Sequence, residues 1–465
     1  MNTLALLKSP FDGHVLPQHA LNPLQRIREL NALGRSLVNY DAIDLWEMDT
    51  RRLPAALGKV RRQARTFAEH FLAPNVQRLD EAPHAAPGTL HPAALRLLQQ
   101  AGRAGLMTGM LPAPLGTAAV ADLRFPSHYR FAFQVEELAR VCAGQMLLLS
   151  AHQLGLAPIC LSGDLRAMWR FFRPMTRDFV AGKPHLFAYA ITEPAAGSDA
   201  EDSYGALNNR PRVIARRQGN GYVLNGRKCF ISGGDVAQKI TVFAALEGEG
   251  FESWTCFVVD AGNPGLEAKR TELKMGMRAS SAAELSFTDA YVPAEDIVGG
   301  LRRGWALNRA TLNTSRYPVA AMAVGLARRA CEIALEYSLA TRLGGKPLLS
   351  YQEVQLQLAQ MVAETRAMRA LVWQQAAGSV QPHQSEASLA KFFATDRAQA
   401  VCEMGLAVMA EHGLERSRGM EKLLRDVRLT RIFEGTNQIN RLGVIEDLQP
   451  LLLDRMDGRR GIVSV

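Results

Sequence analysis

The sequence predicts an α+β protein of several domains, helical toward both ends with a β domain between them. Three observations predict it. Apolar residues recur at three- and four-residue steps on either side of the chain's middle, as amphipathic helices require. Between about residues 186 and 298 that period gives way to short β-branched and aromatic runs separated by turn residues. Finally, 465 residues exceed what one hydrophobic core comfortably holds. The expected division is residues 1–52 as an N-terminal extension, 53–185 as a helical domain, 186–298 as a β domain, 299–450 as a helical bundle and 451–465 as a tail.

Residues 1 to about 52 carry Pro10, Gly13, Pro17 and Pro23 and an amphipathic stretch around Leu24–Leu37, and are expected to pack on the body. From Leu53 the helical period begins, with Leu57, Val60, Ala64, Phe67, Ala68 and Phe71 on one face. Further helices are expected through Leu95–Leu98, Phe131–Val141 and Ala167–Val180. Near Lys183-Pro184 the pattern changes to strand-like runs, among them Phe187–Thr192, Pro211–Arg216, Tyr222–Leu224, Lys228–Ser232, Ile240–Ala245, Thr255–Val259 and Glu284–Phe287. Asn225-Gly226 between two of these predicts a hairpin, because a tight primed turn needs positive φ. After Gly299-Gly300 long helices return. Val319, Met322, Ala323, Leu326, Ala330, Ile333, Ala334 and Tyr337 mark one stripe, Val354, Leu358, Met361, Thr365, Met368 and Val372 a second, and Ala387–Met409 a third. Such stripes are core packing and predict a bundle.

Composition narrows the class. With 48% hydrophobic and 21% charged residues the chain is an ordinary globular protein. The net charge of +9 is scattered and not interleaved with aromatics, which argues against nucleic acid and fits acidic small molecules or an acidic protein partner. Six cysteines lie far apart without metal spacing, so no metal site is expected and reduced thiols of a cytoplasmic protein are. No apolar run approaches the length of a membrane span.

Three stretches carry chemistry. In Ile432-Phe433-Glu434-Gly435-Thr436 a carboxylate sits where the helical run Leu424, Leu429, Ile432 closes, with Gly435 as the helix stop. Taken alone, Glu434 is a last-turn glutamate. Tyr189-Ala190-Ile191-Thr192-Glu193-Pro194-Ala195-Ala196-Gly197-Ser198-Asp199 is a strand entering a loop whose small residues expose backbone N–H groups to a flat ligand. Leu224–Ser232 forms the expected hairpin, with Phe230 and Ser232 on one face of its second strand.

Together these stretches resemble the acyl-CoA dehydrogenases, from about Leu53 to Asp447. Five anchors match in order and spacing: Tyr189–Asp199; Tyr222–Ser232; Lys274-Met275-Gly276-Met277-Arg278 with the later Val292-Pro293; Arg316 with Gly325; and Arg425-Asp426 leading to Glu434-Gly435-Thr436. The resemblance implies an N-terminal helical domain, a central β-barrel or sandwich and a C-terminal four-helix bundle. It implies FAD as cofactor, an acyl-CoA substrate, an electron-transfer flavoprotein as partner, and a homodimer or homotetramer. Tyr189, Ile191, Thr192, Phe230 and Ser232 would line the isoalloxazine ring, with Phe230 replacing the usual tryptophan. Gly197, Ser198 and Thr436 would meet cofactor, and Ser198, Arg316, Glu434 and Gly435 substrate. Glu434 would be the general base. Ser315, where branched-chain relatives carry their base, is not a glutamate.

The chain departs from the family where the flavin's distant half is gripped across a dimer interface. Thr341 stands for an arginine, Gly344 for a phenylalanine, Ala407 for a glutamine and Ala410-Glu411 for a glycine pair, whereas Gln352 is kept. Arg342 replaces the lost arginine only if the helix has ended before it, since adjacent helical residues point about 100° apart. The chain is therefore expected to hold FAD poorly alone, or to share it with an unlike subunit. Other readings are an oxidase, disfavoured by length, a dehydrogenase of carrier-protein thioesters, and a flavin-poor partner subunit.

Overall fold

The computed structural model describes residues 31–37, 44–82, 86–120, 125–201, 209–378 and 383–462. Most of the expected N-terminal extension lies outside the described residues. Its end does not, and that end is packed on the body. After α1 (Ala32–Leu37), the single turn α2 (Leu45–Met48) buries Trp46, whose carbonyl accepts from Arg369 Nη1 at 2.8 Å. Beside it, Glu47 accepts from Arg61 at 2.8 Å and from Arg65 at 2.9 Å.

Five helices follow: α3 (Ala55–Phe67), α4 (Val76–Glu81), α5 (Pro92–Arg103), α6 (Ser127–Leu161) and α7 (Leu165–Val180). α3 buries Leu57, Ala64 and Phe67, members of the predicted stripe. The central helix α6 breaks its regular geometry at Cys142 (φ −161°, ψ 108°). Contrary to the sequence expectation, this helix is long and apolar enough to cross a membrane by length and composition; 67% of its most apolar window is buried inside the fold, as in a core packing helix.

The β region comprises β1 (Phe187–Ala190), β2 (Ile214–Gln218), β3 (Gly221–Ser232), β4 (Lys239–Leu246), β5 (Thr255–Asp260), β6 (Leu266–Thr271), β7 (Ala282–Pro293) and β8 (Ile297–Val298). They form one hydrogen-bonded sheet in the order β6-β7-β3-β2-β4-β5-β8, with β1 as a parallel partner of β4. The hairpin predicted at Asn225-Gly226 is not there. β3 runs straight through both residues, and the turn falls earlier, after Gln218, with Gly219 at φ +55°. The Asn-Gly pair instead lies opposite a bulge of β7: Leu224 pairs with Ala290 and Gly226 with Phe287, so the extra residue is on β7, where Asp289 takes φ +47°, and Gly226 takes φ +138°. Gly226 keeps a positive φ, as the primed turn would have required of it, while Asn225 does not, so the glycine's signal was real but its context differs. The side chain of Asn225 pairs across the bulge with Asp289, donating to Oδ1 at 3.1 Å and accepting from its backbone N–H at 2.9 Å.

The C-terminal region holds α8 (Gly304–Ala340), a small hairpin β9 (Arg342–Leu343) and β10 (Lys346–Pro347), then α9 (Gln352–Gly378), α10 (Gln384–Met409), α11 (Met420–Thr430) and α12 (Asn437–Ile462). The four long helices α8, α9, α10 and α12 pack around the three predicted stripes, with Ala327, Met361, Met368, Ala394 and Val401 fully buried. α12 continues past the expected boundary at 450, because Pro450 costs it one backbone bond without ending it. α8 also packs along α6, which brings the two helical regions against the β sheet at one place.

Candidate active site

At that junction lies a cavity of about 750 Å³ lined by all three regions. β1 and its following loop supply Tyr189, Ile191, Thr192, Gly197 and Ser198; the end of β3 supplies Phe230 and Ser232; the segment after α11 supplies Glu434, Gly435 and Thr436. Ten of the residues singled out from the sequence thus converge from three separate stretches.

The loop after β1 is held from behind by a buried ion pair. Lys228, on β3, donates to Glu193 Oε1 at 2.7 Å and to the carbonyl of Ile191 at 2.9 Å. The same carboxylate accepts the backbone N–H of Arg212 at 2.8 Å and of Val213 at 3.0 Å. Burial lowers the Lys228 ammonium below the usual lysine range, and Glu193 opposes that shift. The backbone of Cys229 adds a bond to Thr192 O at 3.0 Å, so β3 fixes the loop along its length.

Glu434 does not leave a helix end, as the sequence reading had it. α11 stops at Thr430, and Glu434 sits four residues later in a turn, at φ +56°, followed by Gly435 at +80°. The last helical bonds fall at Leu429, whose carbonyl accepts from Ile432 and Phe433 at 2.9 and 3.3 Å. A non-glycine residue in the left-handed region costs about 1–2 kcal/mol. Buried donors hold the turn in place. Arg316 Nε donates to Glu434 O at 3.4 Å, Lys391 Nζ to Gly435 O at 2.6 Å, and Asn440 Nδ2 to Gly435 O and Thr436 O at 2.9 Å each. With the turn's carbonyls engaged on the bundle side, the carboxylate is left among the cavity walls, where Ser315 Oγ donates to Oε2 at 2.7 Å. The turn is also joined to the β region, since Thr436 N–H donates to Ser198 Oγ at 3.0 Å.

Tyr189 is nearly buried, and its hydroxyl donates to Asn308 of α8. Phe230 is the opposite case: it is 59% exposed, at φ +56°, where the β3–β7 register slips a second time. An aromatic ring so exposed at a cavity wall is a surface for a flat ligand to cover. Lys274 adds a cation to the lining; burial brings it down to about 8 although Asp426 opposes the shift. Among the described residues no cluster of His, Cys, Asp or Glu could hold a metal ion.

Three predicted residues lie elsewhere. Arg316 is not in the cavity wall but buried behind the Glu434 turn, where Nη1 also donates to Ser388 Oγ at 3.0 Å and Asn313 Oδ1 at 3.2 Å. Gln352 opens α9 on the surface, and Arg342 is exposed on β9, its Nη1 donating to Gly345 O at 3.0 Å. The helix has indeed ended before Arg342: Thr341 is extended, with ψ 135°. Ala410, in place of a glycine, keeps φ +47° and ψ −132°. Sequence reasoning missed Glu193, Lys228, Lys391 and Asn440. The available signal was a lysine inside the apolar stripe Ala387–Met409, and charged residues in a strand and loop that otherwise read as buried.

Comparison with known proteins places these features. The chain matches family models described as the acyl-CoA dehydrogenase N-terminal domain over residues 56–178, the middle domain over 188–290 and the C-terminal domain over 302–449. It is 37% identical over 383 residues to the cyclohex-1-ene-1-carbonyl-CoA dehydrogenase of Geobacter metallireducens, covering 81% of this chain and 94% of that protein. The butyryl-CoA dehydrogenase structure from Megasphaera elsdenii superposes with a TM-score of 0.75 at 29% identity, covering 89% and 100% of the two chains. An acyl-CoA dehydrogenase from Bacillus anthracis, solved with FAD, gives 0.76 at 27% identity over 90% and 70%.

Proposed function

Because the chain belongs to the acyl-CoA dehydrogenase family of oxidoreductases, we propose that it oxidises an acyl-CoA thioester to the trans-2-enoyl-CoA, with Glu434 as general base and FAD as cofactor. The observation that carries this reading is the position of Glu434, a carboxylate in the wall of the cavity that also holds Tyr189, Ile191, Thr192, Phe230 and Ser232. Those residues fit a flavin: apolar and aromatic surface for the ring, with the Thr192, Ser198 and Ser232 hydroxyls and the loop's small residues for its polar atoms. When bound, FAD supplies the two-electron acceptor for the hydrogen that leaves the β-carbon.

The protein's own part is proton transfer and polarisation. Glu434 takes the α-proton, and the left-handed turn fixes its carboxylate against that carbon. Loss of the proton gives the thioester oxygen enolate character, so a backbone donor nearby lowers the barrier; the N–H of Glu434 serves, oriented by the buried donors behind the turn. Arg316 belongs to that backing, a positioning role in place of the direct ligand contact expected from sequence. The apolar walls exclude water and strengthen each of these interactions. Electrons then pass to an electron-transfer flavoprotein, the acceptor the family resemblance implies. Arg342 and Gln352, both outside the cavity, would serve a flavin held across a subunit interface.

The reading is tested by adding linear, branched and alicyclic acyl-CoAs anaerobically to the FAD-loaded protein and following flavin absorbance. Bleaching by at least one class, with enoyl-CoA formed in equal amount, is the expected result. A bound flavin that no acyl-CoA reduces would end the proposal.

A further inference from the structure

Ser315 lies on α8 one residue before Arg316, and its hydroxyl has two acceptors within reach: Glu434 Oε2 at 2.7 Å and the carbonyl of Leu312, one helical turn back, at 3.2 Å. A serine hydroxyl has one hydrogen, so it serves one acceptor at a time. Its neighbour Thr314 has made the ordinary helical choice, donating to Thr311 O at 2.8 Å. Ser315 is held between the helix backbone and the base.

Building on the assignment of Glu434 as base, we propose that Ser315 is a positioning residue that follows the protonation state of Glu434: its hydroxyl donates to Oε2 while the carboxylate is charged, and turns to the Leu312 carbonyl once the carboxyl carries the substrate's α-proton. The charged form is the better acceptor, and a bond to it is charge-assisted. After proton transfer Oε2 no longer attracts the hydroxyl as strongly, the Leu312 carbonyl competes, and Ser315 Oγ is left as an acceptor for the new carboxylic O–H. The hydroxyl proton stays on Oγ throughout, so Ser315 gains and loses no charge, and the proton taken up by Glu434 is the one from the α-carbon. Two consequences follow. The resting base is kept ionised and aimed, and its basicity is held below that of the same carboxylate without the serine.

Other charged and titratable groups surround this site. Arg316 on α8 and Lys391 on α10 hold carbonyls of the turn, Arg431 pairs with Asp396, and Lys274 and His128 line the same cavity. All are left in place by a change at Ser315.

The test compares Ser315→Ala, Ser315→Thr and Glu434→Gln as FAD-loaded proteins, measuring the limiting rate of anaerobic flavin reduction by an acyl-CoA against pH. Infrared difference spectra report the Glu434 carboxyl, identified by its loss in Glu434→Gln. Removing a hydrogen bond to the charged form raises the carboxyl's affinity for protons, so in Ser315→Ala the acidic limb should move up by about one pH unit, roughly a tenfold change in that affinity. Ser315→Thr, which restores a hydroxyl, should return it to the parent position. A limb that stays put in Ser315→Ala, or that shifts equally in Ser315→Thr, overturns the proposal. If Glu434→Gln reduces its flavin normally, the base assignment falls and this inference with it. If Glu434→Gln is inactive while Ser315→Ala keeps the parent profile, only the role given to Ser315 is wrong.

Discussion

Replacing Lys228 by methionine should damage the protein far more than a surface charge change would. The Lys228 side chain is fully buried and that of Glu193 is 2% exposed, so the variant leaves a carboxylate in the interior without its ammonium partner. Breaking a buried pair in this way costs about 3–5 kcal/mol. Two backbone donors, Arg212 N–H and Val213 N–H, still serve the carboxylate, which places the expected loss toward the lower end, about 3 kcal/mol. At about 2–4 °C per kcal/mol for a unit of this size, the melting temperature should fall by about 6–12 °C. Because Lys228 also holds Ile191 O, the loop that lines the cavity should loosen and FAD should dissociate faster. The double variant Glu193→Gln with Lys228→Met buries no charge and keeps an acceptor for one of the two backbone donors, its amide nitrogen replacing the oxygen that served the other, and should regain part of the lost stability. Thermal melting of the four members of this cycle, with FAD off-rates alongside, is the assay. A Lys228→Met protein that melts within a degree of the parent, or a double variant no better than the single, would refute this account of the loop.

Glu47 gives a pH dependence. Burial acts to raise its carboxyl, but Arg61 and Arg65 prevail and lower it from 4.5 to about 2. Its contribution to stability is therefore complete above the unfolded value and lost as pH falls toward 2; melting curves of the parent and Glu47→Gln should differ by a constant amount above about pH 5 and converge near pH 2. Ala410→Gly should stabilise the protein by about 1 kcal/mol in denaturant unfolding, because alanine at φ +47° carries strain that glycine does not, less the entropy glycine loses on folding. The chain purified by itself should carry well under one FAD per protomer, given the substitutions at Thr341, Ala407 and Ala410-Glu411; a near-stoichiometric, tightly held FAD in a homo-oligomer would show instead that Arg342 and its glycine turn rebuild the grip.

Much of the fold was legible because its signals are periodic. The stripes from Val319 and Val354 and the run Ala387–Met409 mark long helices wherever those helices end, and the strand-like runs begin just after Lys183-Pro184 in sequence and structure alike. Local turn chemistry was less decisive. The glycine of Asn225-Gly226 signals positive φ, which a hairpin and an irregular strand pairing both satisfy, and only the pairing of β3 with β7 on both sides of it decides for the latter. The Glu434 turn was found as a glutamate before a glycine, but its left-handed backbone was not, because the donors that hold it come from Arg316, Lys391 and Asn440 on three different helices. The same holds for Ser315. A serine in a helix is unremarkable in sequence, and only the packing of α8 against the turn sets it 2.7 Å from the carboxylate. Unlike Lys391, a charge inside an apolar run, a helical serine that acts through a long-range contact leaves no local trace.

The central claim is that Glu434 removes the substrate's α-proton. Glu434→Gln keeps the shape of the side chain and an acceptor for Ser315 but cannot take up the proton, and loss of a general base lowers rates by about a hundredfold to ten-thousandfold. The direct measurement is the stopped-flow rate of anaerobic flavin reduction by an acyl-CoA that reduces the parent, with FAD content and acyl-CoA binding measured on the same preparation. The predicted result is a fall in that range with FAD and acyl-CoA still bound. Reduction at the parent rate would contradict the account.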